Sequence, residues 1–213
     1  MDILKTDNVD LIVLNRAPAS ICDTALRGTP LVVKDRRIYL RFMLIITGQA
    51  EDFRQFVDDF YAISQRSTSL TPQDREDLKR TIDFLEAELK SIGEFKPLTP
   101  QEYIANASMR RNAERWVENI INSSIDIAKI ILGSEKKLIP DTYRDNLKQA
   151  VWVLRLPEDF IEKFERWVKL RNVLAHEYLD IKWKRIEDFI KTSEPYFRSF
   201  IDAAKDFLEK NKE

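Results

Sequence analysis

This chain is short of several things at once: it has one histidine, one cysteine, four glycines in 213 residues and almost no net charge. Lone Cys22 has no intrachain partner, so no disulfide framework is expected and a reducing compartment fits. As an isolated thiol it reads as a small buried hydrophobe. Four glycines are too few for the turns of an all-β fold, and the scarcity favours long helices. With 35 basic against 36 acidic residues the formal charge is −1, which excludes bulk attraction to nucleic acid or membrane. Any polyanion site must then be a local basic patch. The most apolar run, "LRFMLIITG" (40–48), contains Arg41 and is too short to span a bilayer. No charged leader with an apolar stretch and cleavage site opens the chain. A cytoplasmic protein is expected.

What is present suits a packed core with a solvated surface: 44% apolar and 33% charged residues. The length leaves one domain or two open. The front reads as mixed α/β. "VDLIVLN" (9–15) and "TPLVV" (29–33) are short apolar runs with β-branched residues, expected as strands. Between them "APASICDTALRG" reads as a short helix, with Ser20 as N-cap and Gly28 just past its end. Asp35 is placed to cap a long helix from Arg36 to about Ser64, with Phe53, Phe56 and Phe60 on one face. The polar stretch "SQRSTSLTPQDRED" breaks the pattern, and a boundary near residue 67 divides the chain into 1–66 and 67–213.

Beyond it the pattern is helical throughout. Leu78, Ile82, Leu85, Leu89 and Ile92 form one stripe of a helix opened by Thr71-Pro72. Thr99-Pro100 starts a second, carrying Trp116, Ile120, Ile127 and Ile131 to Gly133. A third covers about 141–153, and Pro157 opens a fourth with Phe160, Phe164, Trp167 and Val168 inward. The last is placed for capping by Asp180. Its stripe is Ile186, Ile190, Phe197, Ile201, Ala204 and Leu208, and Pro195 should kink or split it. Five helices in this stretch make a compact bundle, so the chain is expected to be mainly α.

The only histidine, His176, falls in "RNVLAHEYLD" (171–180). Along an ideal helix Asn172 and His176 are four apart and share a face, while Arg171 and Tyr178, seven apart, share a neighbouring one. On spacing alone His176 is equally well a satisfied residue near a helix C-terminus, where a cation is favoured anyway. Lys169, Lys182, Lys184 and Arg185 flank the motif, as a local basic patch for RNA or as an ordinary solvated face.

"LRNVLAHEY" resembles the signature of the HEPN superfamily, helical-bundle proteins with an Arg-Asn-x3-His motif. It is most similar to the prokaryotic toxins that carry Arg-x4-His-x-Tyr and pair with a minimal nucleotidyltransferase antitoxin. The resemblance runs from about 75 to 210 and includes "RNAERWVENIINSSIDIAKIIL" and "IPDTYRDNL". It implies RNA cleavage, without metal or cofactor, at a cleft between two copies of the bundle. Arg171 and His176 would then be catalytic and Asn172 would orient the histidine or the phosphate. Tyr178 takes the position at which the antitoxin attaches adenylate groups. Transesterification needs a base, an acid and positive charge on the phosphorane. Imidazole titrates in the right range and guanidinium clamps phosphate. One histidine cannot fill both proton roles, so a two-fold homodimer is expected to supply a second. The chain departs from many relatives at Asn122, where they carry an acid four positions before the Asp of "IDIA"; Asp126 itself is retained.

The front, "VDLIVLNRAPASICDTALRGTPLVVKDRRIYLRF", resembles the C-terminal half of a minimal nucleotidyltransferase. Such an enzyme needs a Gly-Ser pair for the triphosphate and an Asp-x-Asp strand for two metal ions. Neither precedes residue 9. Asp10 alone cannot hold two metals, and the one Gly-Ser, at 133–134, reads as a helix end. The segment 1–66 is thus expected to be a degenerate remnant beside a HEPN-like bundle. Two functions follow: a HEPN-type ribonuclease toxin fused to an antitoxin remnant, or an inactive nucleotide-binding or scaffold module that pairs with an intact nucleotidyltransferase.

Overall fold

The computed structural model describes residues 12–66, 70–138, 140–176 and 182–211, with the backbone alone at 16, 66 and 176. Asp10, Tyr178 and Asp180 lie outside the described residues. Among the described residues there are ten α-helices and no strand, and the fold is mainly α. The chain divides into two compact units, Met1–Asp52 and Phe53–Glu213.

The first unit holds a 3-10 turn at Leu14–Arg16, the helix α1 (Ala19–Leu26) and the first part of α2 (Arg36–Arg66). Asp35 caps α2 as expected: its Oδ1 accepts from the N–H groups of Arg37 and Ile38 at 2.8 and 3.1 Å. Cys22 is fully buried, its thiol directed at the carbonyls of Leu14 and Ala17. Burial pushes its pKa up. Ser20, expected as a cap, lies inside α1 instead, and Pro18 takes the N-cap.

The strand expected at 29–33 does not form, and the described part of 9–15 is loop and 3-10 turn. A strand needs a neighbour to satisfy its N–H and C=O groups, and the described chain offers none. Leu31 and Val32 are accordingly 92% and 79% exposed. The mixed α/β front is therefore corrected to helix and loop among the described residues.

The second unit is the helical bundle. It contains α3 (Pro72–Lys90), α4 (Ile92–Phe95), α5 (Pro100–Ala105), α6 (Ala107–Ser134), α7 (Tyr143–Val153), α8 (Asp159–His176), α9 (Trp183–Thr192) and α10 (Glu194–Lys210). Among the described residues eight helices stand where five were expected, because three of the expected helices break. Ser91 ends α3. Asn106 adopts extended backbone and accepts from the N–H groups of Ser108 and Met109, so its side chain starts α6 afresh after α5. Ser193 separates α9 from α10, with Pro195 in the first turn of the latter, as expected. Thr71 caps α3, and Thr99 with Glu102 forms a capping box on α5.

Central α6 packs against α3, α5, α7, α8 and α9. Trp116 Nε1 donates to the Glu88 carbonyl at 2.8 Å, and residues 80–84 face 119–126, so α3 and α6 run antiparallel. Asn146 of α7 donates to the Ile125 carbonyl from a fully buried position. Between α8, α9 and α10 the rings of Phe164, Trp167, Phe189 and Phe197 interlock at 4.9–5.8 Å. Gly133 is explained by packing as well as by its place near a helix end: a Cβ there would come within 2.8 Å of Ile63 Cγ2. α6 continues to Ser134, and Lys136 carries the positive φ of 53° that closes it. Among the described residues, no helix is long and apolar enough to cross a membrane.

Candidate functional site

The last two turns of α8 carry the polar motif. Phe160, Phe164, Trp167, Val168 and Leu170 fix the helix by burial, which leaves Arg171 half-buried at the flank of the core. Its guanidinium is held by side chains of three helices. Nε donates to Asn122 Oδ1 of α6 at 2.8 Å, and Nη1 donates to Asn172 Oδ1 at 3.4 Å. The face of Tyr143, first residue of α7, lies 5.2 Å from Cζ. Tyr143 is in turn set by edge contacts with Phe53 and Phe56 at 5.4 and 5.3 Å. Each of these three partners is uncharged.

One turn before Asn122 on α6 stands Glu118, largely buried and 3.5 Å from Arg115. Burial raises its pKa, against the downward pull of the Arg115 and Arg171 cations. One turn after Asn122, Asp126 forms an ion pair with Lys129 at 3.2 Å. Glu118, Asn122 and Asp126 thus line one stripe of α6, and its central, neutral member is the one that meets the arginine.

The structure brings Arg171 and Asn172 together and ends α8 at His176, one turn beyond Asn172. The imidazole of His176 and all of Tyr178 lie outside the described residues. Of the four basic candidates, Lys169 and Arg185 line one groove of about 250 Å³ between α8 and α9, with Arg166, Trp167, Leu170 and Asp188. Lys169 also pairs with Glu165 at 2.8 Å. Lys184 is exposed on α9, and the backbone N–H of Lys182 serves the Tyr103 hydroxyl, which donates to Glu114 at 2.5 Å. Sequence reasoning missed Tyr143 and Glu118. Tyr143 sits in a segment whose pattern gave only a helix start, and the spacing of Glu118 from Asn122 and Asp126 was the one signal available.

A family model described as ribonuclease HepT-like matches residues 85–204, more than half of the chain. The chain belongs to this HepT-like ribonuclease family. The HepT-like region takes in the whole of α4 to α9 and with them Arg171, Asn122, Asn172 and Tyr143, while Phe53 and Phe56 behind Tyr143 fall outside it. It also contains the α8 and α9 walls of the groove, while the N-terminal unit falls outside it. No curated protein matches the chain.

Proposed function

We propose that this HepT-like chain is a metal-independent endoribonuclease toxin of a prokaryotic toxin–antitoxin system. It acts in the cytoplasm as a homodimer, and its N-terminal segment is a non-catalytic remnant of the antitoxin partner. The observation that carries the reading is the positioned guanidinium of Arg171, oriented by Asn122, Asn172 and Tyr143 on the helix that ends at His176. A preorganised cation at this place supplies charge where the phosphorane develops it.

In the reaction the 2′-hydroxyl attacks the adjacent phosphorus, the P–O5′ bond breaks, and a 2′,3′-cyclic phosphate and a 5′-hydroxyl result. One His176 takes the 2′-proton and the partner subunit's His176 gives a proton to the leaving oxygen. Arg171 binds the non-bridging oxygens. Asn172 orients the histidine or the phosphate, and Lys169 and Arg185 in their groove, with Lys182 and Lys184, hold flanking phosphates. Adenylylation of Tyr178 by a nucleotidyltransferase acting in trans adds bulk and negative charge beside the cleft and silences it.

The test is incubation of purified protein with RNA in EDTA. Cleavage is expected from the wild type and not from His176→Ala, with both chains sedimenting as dimers. RNA left whole by both proteins favours the inactive scaffold module instead. A monomer that still cleaves contradicts the two-histidine arrangement.

A further inference from the structure

We propose that the groove between α3 and α6 is a nucleobase subsite for single-stranded RNA. In it Phe84 stacks on a base flanking the cut, and Arg80 and Arg115 take the neighbouring phosphates. The proposal rests on the ribonuclease reading of the adjoining Arg171 site.

The first observation is Phe84 itself. Every other large apolar residue of α3 joins the buried stripe, whereas Phe84 is 45% exposed. It has company suited to a nucleotide. The groove, about 430 Å³, is lined by Arg80, Phe84, Arg115, Asn119, Asn122 and Asp126, among others. That volume lies within the roughly 300–1,000 Å³ of small-molecule sites. An aromatic face serves any base, guanidinium groups serve the phosphates, and carboxamides serve base edges.

The second observation is continuity. Asn122 lines this groove and also accepts the Arg171 Nε hydrogen bond at 2.8 Å. A strand whose scissile phosphate meets Arg171 therefore has its neighbouring nucleotide delivered to Phe84. The charges are compatible with this path. Arg80 and Arg115 are 79% and 71% exposed and so within reach of a phosphate, and the Arg80 pair with Asp77 is a surface pair that a phosphate displaces at small cost. Asp126, the acid lining the groove, shares Lys129 with Asp59, the two carboxylates standing 3.2 and 2.9 Å from its ammonium. Stacking on Phe84 requires an unstacked base, so the site accepts a single strand and rejects a duplex.

The experiment uses the full chain and two RNA probes of one sequence. One is a 2′-O-methyl strand, which lacks the nucleophile and reads binding alone; the other is the ribo-strand, which reads cleavage. Phe84→Ala is expected to weaken binding of the single 2′-O-methyl strand about ten-fold, and Phe84→Trp to keep it. An abasic position opposite Phe84, found by scanning the strand, is expected to erase the difference between wild type and Phe84→Ala. Binding of the duplex is expected to be unchanged. If the wild type cleaves RNA while Phe84→Ala binds as well as wild type, the subsite is overturned and the ribonuclease reading stands. If the wild type cleaves nothing but binding still follows Phe84, the subsite stands and the ribonuclease reading falls. If Phe84→Ala turns a sedimenting dimer into a monomer, the groove is a contact between copies and the proposal is overturned.

Discussion

Residues 29–33, Thr-Pro-Leu-Val-Val, and the stripe Leu78, Ile82, Leu85 and Leu89 are both strongly apolar, yet they meet opposite fates. The stripe is buried to 2% exposure or less, while Leu31 and Val32 stand almost fully in solvent. Apolarity alone does not decide between them; the availability of a partner does. A helix satisfies its own backbone and needs only another apolar face, which α6 supplies to α3. A short β-branched run needs a second strand for its backbone groups, and none stands beside it among the described residues. The same contrast extends to the two units. The exposed large apolar residues cluster in Met1–Asp52, with Ile12, Val13, Ile38 and Leu44 among them, while a single continuous core fills Phe53–Glu213.

Substitutions that probe this contrast should scale with it. The largest loss is expected at the centre of the aromatic layer. Trp167→Ala removes a fully buried ring packed on Phe164, Phe189 and Phe197, and should cost about 3–5 kcal/mol in denaturant unfolding. A loss near that of a surface change would mean the layer is not the core described. Next comes Gly133→Ala, whose new methyl strikes Ile63; the expected cost is about 1–3 kcal/mol. The cost should shrink when Ile63→Ala is made as well, and an undiminished cost in the double variant would locate the strain elsewhere. The smallest effect belongs to the front. Leu31→Ser should change stability by no more than about 0.5 kcal/mol, since its side chain touches little. A large loss there would reveal a packing partner for the front segment.

Most of the bundle was legible because its signals are local. Thr71, Thr99 and Asp35 cap the helices they precede, and the stripes at helical period are the buried faces. The breaks were harder to see. Asn106 sits in a continuous helical pattern, and only its side chain's competition for backbone N–H groups divides α5 from α6. The site was legible in its chain-local part, Arg171 and Asn172, one turn apart from His176 on α8. Its long-range part was not. Asn122 stood out as a departure from an acidic position, and the structure gives it a contact: it accepts a hydrogen bond from Arg171, 49 residues away in sequence. Tyr143 lay within "IPDTYRDNL", but nothing there marked it as an arginine contact, since a cation over a ring depends on how α7 meets α8. The strand expected at 29–33 did not form, and the described part of 9–15 is loop and turn, because β pairing is likewise a long-range matter, here without a partner among the described residues.

Stabilisation of charge at a phosphorane by Arg171 is read in the single-turnover cleavage rate of a ribo-oligonucleotide in EDTA. Wild type and Arg171→Ala should be compared after thermal melts confirm that both are folded. The wild type should give fragments ending in 2′,3′-cyclic phosphate, and the variant a rate roughly 100- to 1,000-fold lower. Cleavage by Arg171→Ala at the wild-type rate, or products without the cyclic phosphate, would contradict it.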